Sequence, residues 1–109
     1  MKTARNVMQD FFKSVLLVIS RNSSKSYGIV VFQSIKKKLS PKFQFLKFVN
    51  ISDSTIIIDS KINSAEPKEI KKLIDRIIVL LGPDMLRIMV RENMDTEDIN
   101  YLNRIGVRI

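Results

Sequence analysis

Between residues 3 and 20 the apolar positions are Val7, Met8, Phe11, Phe12, Val15, Leu16 and Ile19, with Arg5, Gln9, Lys13 and Ser20 interposed. Apolar residues at i, i+1, i+4, i+5, i+8, i+9 and i+12 form one stripe of an α-helix. Leu17 and Val18 widen that stripe, so the last turns are expected to be buried on more than one side. Asn22-Ser23-Ser24 breaks the pattern. Ser24 or Ser26 suits the N-cap of a second helix over 25–39. Its expected core stripe is Tyr27, Val31, Ile35 and Leu39, supported by Phe32. The β-branched pair Val30-Val31 makes a strand at 27–33 the competitor. The spacing continues to Leu39 and favours helix. Ser40-Pro41 ends it, because the residue before a proline leaves the helical region.

Residues 43–51 alternate imperfectly, with Phe43, Phe45, Val49 and Ile51 against Gln44 and Asn50. This predicts a strand with both faces partly covered. Ser52-Asp53-Ser54 is a turn, and Thr55 to Ile62 is a second strand, giving a β-hairpin over about 43–62. Ser64 is the expected N-cap of the next helix, with Pro67 in its first turn. That helix carries Ile70, Leu73, Ile74, Ile77, Ile78 and Leu81 on one stripe and stops at Gly82. Pro83 and Asp84 open another helix containing Met85, Leu86, Ile88, Met89 and Val90; a strand at 85–91 is its alternative. Asp95 caps a last helix through Ile105, with Gly106 at C′ and Val107 closing over the end. The result is an α+β fold, one domain over 1–109, in the order α-α-β-β-α-α-α. A two-stranded hairpin is too small to stand alone. It must pack on helices or gain strands from another chain.

Charge changes this picture on one side only. Residues 1–50 carry ten Lys or Arg and a single acid, Asp10, whereas residues 51–109 carry nine basic residues and ten acids. The formal net charge is +8. Such asymmetry bears on partners and solubility, not on fold. Lys36-Lys37-Lys38 complements the dipole at a helix C-terminus. With Lys25, Lys42 and Lys47 it could instead form a phosphate-binding face. Phe43, Phe45 and Phe48 interleave with Lys42 and Lys47, the arrangement of base-stacking strands.

The chain has no Cys and no His. That excludes disulfides, thiolate metal sites and the usual nucleophile–base pairs. Three glycines leave no phosphate loop or dinucleotide fingerprint. Ser34 and Lys37 match S-x-x-K, a spacing that eleven Ser and twelve Lys supply by chance. The companion motifs of serine enzymes with that spacing are absent. Asp95, Glu97 and Asp98 fail the calcium-loop pattern and suit a helix start. Lys13 interrupts the apolar start, so neither a signal peptide nor a membrane span is expected. No motif assigns a family.

These observations predict a non-enzymatic, cytoplasmic protein–protein interaction or oligomerisation domain, a homodimer or a subunit of a larger complex. No cofactor, metal or small-molecule substrate is expected. Met85 and Met89, i and i+4 on one helix, are the expected interface. The alternative is a nucleic-acid-binding protein using Lys25, Lys36, Lys37, Lys38, Lys42 and Lys47.

Overall fold

The computed structural model describes residues 2–21, 23–52 and 55–108. Helix α1 spans Ala4–Ser20 and α2 spans Lys25–Leu39. Strands β1 (Val49–Ser52) and β2 (Thr55–Ile58) follow, then α3 (Pro67–Leu81), α4 (Pro83–Asn93) and α5 (Thr96–Arg104). The order is the α+β order read from the sequence. Both ambiguous segments, 27–33 and 85–91, are helical.

α1 is the central element. Thr3 caps it in a capping box with Asn6. Val7, Met8, Phe11, Phe12 and Val15 are essentially inaccessible. They face α2, α4, α5 and the hairpin. Phe12 meets Phe32 of α2 edge to face, with ring centroids 5.4 Å apart. The widened end of the stripe is buried only in part: Val18 is buried, but Leu17 is 57% exposed.

α2 starts where expected, with the Ser24 hydroxyl accepting from the Tyr27 amide. Its buried stripe is rotated by about one residue from the expected one. Gly28, Phe32 and Leu39 are buried and Ile35 is half-buried, whereas Tyr27 is exposed. The cause is Gly28. There the Ser20 and Leu16 side chains of α1 fill the space that a Cβ would need, a fit that glycine allows.

The hairpin is shorter than predicted. Gln44–Phe48 and Ser60–Ser64 are 3-10 turns flanking two four-residue antiparallel strands. Buried Phe43, Leu46 and Val49 recur every third residue, which is the 3-10 period and not the strand period of two. Val49 pairs with Ile58 and Ile51 with Ile56. Ile56 and Ile58 turn inward, and the hairpin packs on α1. The Asp59 amide bonds Phe48, so by alternation the Ile56 and Ile58 carbonyls point away from β1. Gln9 Nε2 donates to the first at 3.2 Å and Arg5 Nε to the second at 2.7 Å. Val49 is fully buried, which closes the other edge at that position. Within the chain the hairpin packs on a helix, the first of the two solutions.

α3 begins at Pro67 with Glu66 as its N-cap residue, not Ser64. The Ser64 hydroxyl instead donates to the Lys61 carbonyl at 2.8 Å. Ile70, Leu73, Ile74 and Ile77 are buried, as the stripe predicts. α5 ends in a Schellman motif: Gly106 has φ 102, and the Val107 amide bonds the Leu102 carbonyl at 2.8 Å. Val107 is buried over the last turn.

Candidate interaction surface and a carboxylate cluster

Met89 is fully buried within the chain's own core. It fills space between helices and reaches no surface, so it is withdrawn as an interface residue. Met85 lies in α4, and its side chain falls outside the described residues.

The six lysines divide between two environments. Lys25, Lys37, Lys38, Lys42 and Lys47 are exposed. Lys36 is half-buried and lays its stem beside Phe32, Ile35 and Leu39 at an apolar cleft. None of the six forms an ion pair with an acid among the described residues. Lys47 Nζ stands 5.2 Å from the centroid of the Phe48 ring.

The rings of the alternative nucleic-acid face are only partly accessible. Phe43 is buried, and Phe45 and Phe48 are half-buried against the core. The segment is a 3-10 turn, so it does not present alternate rings as a strand would.

What the sequence reading missed is apolar exposure on the same side. Tyr27 is 57% and Val30 58% exposed on α2. Tyr27, Val30, Ser34 and Lys38 lie at i, i+3, i+7 and i+11, one outward stripe running from apolar to cationic. Beyond the end of α2, Lys42 and Phe43 line an open groove of about 500 Å³ with Glu69, Lys72, Asp75, Arg76 and Val79 of α3. Asp75 is held by Lys71 at 2.5 Å and Glu69 by Lys72 at 3.5 Å. Lys42 and Arg76 have no ion-pair partner among the described residues. Val79, in the same groove, is 75% exposed.

A second constellation joins residues far apart in sequence. Lys2 Nζ stands 2.7 Å from Asp10 Oδ2, 2.5 Å from Asp95 Oδ2 and 3.2 Å from Asp98 Oδ1. Asp95 and Asp98 form the capping box of α5, as expected for acids at a helix start. The sequence reading did not bring Asp10 or Lys2 to them. Oxygens of the three carboxylates lie within 4.8 Å of one another. They stand close enough to ligate a cation, and the cation the chain supplies is its own ammonium. Burial, then the neighbouring Asp10 carboxyl, pushes Asp98 up to about 6. Asp10 and Asp95 hold the Lys2 ammonium well above its usual range, and Lys2 holds Asp95 below the usual carboxylate value. A shallow groove of about 260 Å³ lined by Lys2, Glu97, Asn100, Tyr101 and Arg104 runs alongside.

Among the described residues no helix is long and apolar enough to cross a membrane. Compared with known protein families, curated proteins and solved structures, the chain matches none.

Proposed function

We propose that this chain is a non-enzymatic interaction domain, a subunit that docks on an acidic protein surface through α2 and the Lys42 groove. One observation carries the reading. Residues 11–52 hold eight cations and no acid, and the helix at their centre exposes Tyr27 and Val30 instead of hiding them. Scattered exposed apolar residues are ordinary. An apolar-to-cationic stripe of about 16 Å along one helix fits a partner segment that is itself apolar and acidic.

The same charge argues against a second copy as the occupant. A twofold contact places a patch against itself, and here it would set cation against cation. Catalysis is disfavoured because Lys2 occupies the centre of the one carboxylate cluster among the described residues. None of its three acids lines the adjacent groove.

Nucleic acid is the second reading, favoured by the acid-free stretch alone. The two separate in a binding assay using a model amphipathic helix of Leu and Glu and a single-stranded oligonucleotide. The protein reading expects the peptide to bind and to lose affinity both in Y27S/V30S and in K37E/K38E/K42E. A nucleic-acid module would bind the oligonucleotide, lose it steeply with salt and ignore Y27S/V30S. If neither probe binds, both readings fall.

A further inference from the structure

With all its acids ionised, the cluster around Lys2 carries two negative charges more than its single ammonium balances. Three carboxylates share a single ammonium, and Asp98 is 1% exposed. Two elements meet there: Asp10 belongs to α1, whereas Asp95 and Asp98 begin α5. We propose that this cluster is a proton-operated latch, in which uptake of one proton by Asp98 tightens α5 against α1 and its loss loosens α5.

The geometry supplies both states. With every acid ionised, the Asp98 and Asp10 carboxylates repel at short range, and Lys2 divides its three donors among three acceptors. With one proton added, a carboxyl can donate to its neighbour, and the ammonium faces a smaller excess of negative charge. The groups facing Asp98 are Lys2, Asp10 and Asp95; Glu97, Tyr101 and Arg104 stand beside Lys2 at the neighbouring groove. Loosening has a structural consequence, because α5 covers the core through the fully buried Leu102. The elevated value of Asp98, about 6, places the change in mildly acidic conditions.

The test is hydrogen exchange of the α5 amides, corrected for the intrinsic dependence of exchange on pH. A carboxyl near 6 when closed and 3.8 when open gives α5 opening about fourfold more frequent at pH 7.5 than at pH 5.5. Asp98→Asn, which cannot ionise, should flatten that dependence, while Lys2→Met should raise opening at pH 7.5 more than at pH 5.5. Equal corrected protection at both values in the wild-type chain would overturn the latch. So would a D98N chain that keeps the full dependence. Should D98N fail to fold, carboxyl ¹³C titration of the unaltered protein decides: a value for Asp98 in the ordinary carboxylate range overturns the proposal, and an elevated one supports it.

Discussion

Gly28 of α2 faces Ser20 of α1 so closely that a Cβ on Gly28 would lie 2.1 Å from Ser20 Oγ. This contact fixes how the first two helices cross, and therefore which side of α2 turns outward. The Ser20 hydroxyl oxygen is itself buried without a hydrogen-bond partner among the described residues. Gly28→Ala should therefore destabilise the fold by about 1–3 kcal/mol through overpacking, despite the better helix propensity of Ala. Ser20→Ala should be near neutral or stabilising, since it removes an unsatisfied buried group. The double variant should recover most of the loss. Denaturant melts of the four chains give the coupling directly.

Met89→Ala should cost about 2–5 kcal/mol, the range for deleting a buried Met side chain. Its oligomeric state should match the wild type, because the residue is internal. Val79→Ser on the exposed side of α3 should change stability by less than about 0.5 kcal/mol. Chemical denaturation with light scattering measures both quantities. A dissociating but stable M89A chain would show that the methionine belongs to an interface.

The acids at the start of α5 set a pH dependence with a defined sign. Asp98 is raised in the folded state, so its contribution is present below the ordinary carboxylate value of 3.8 and is lost as pH rises through about 6. Asp95 is lowered, so its contribution is present above its ordinary value and is lost as pH falls through the lowered one. Stability should increase from pH 7.5 to pH 5 and fall again below about 4, the lower limit set by ordinary carboxylates. Lys2→Met should cost about 1–3 kcal/mol at pH 7.5, because it strands a buried carboxylate, and less at pH 5. Thermal melts across this range test the sign.

The helices were legible because their signals are local. Ser24, Pro67, Asp95 and Gly106 mark ends by chemistry that acts within one turn. The stripe Ile70, Leu73, Ile74 and Ile77 states its own period. The strand ends differ from the pattern although a signal is present: Phe43, Leu46 and Val49 repeat every three residues, and the aromatic alternation of Phe43 and Phe45 obscures it. The spacing of Tyr27, Val31, Ile35 and Leu39 points Tyr27 inward, whereas the helix is turned so that Gly28 faces α1. The cluster of Lys2 with Asp98 was not legible. Those residues are 96 positions apart, and nothing local to either distinguishes it from a solvated charge.

The interaction surface meets its most direct test in an amide-resolved NMR titration of the ¹⁵N-labelled chain with the Leu/Glu amphipathic peptide at physiological salt. The account predicts shifts concentrated in α2, in residues 40–47 and in the outer face of α3 from Lys72 to Val79, and their disappearance in Y27S/V30S. Shifts confined to α4 and α5, or none at saturating peptide, would contradict it.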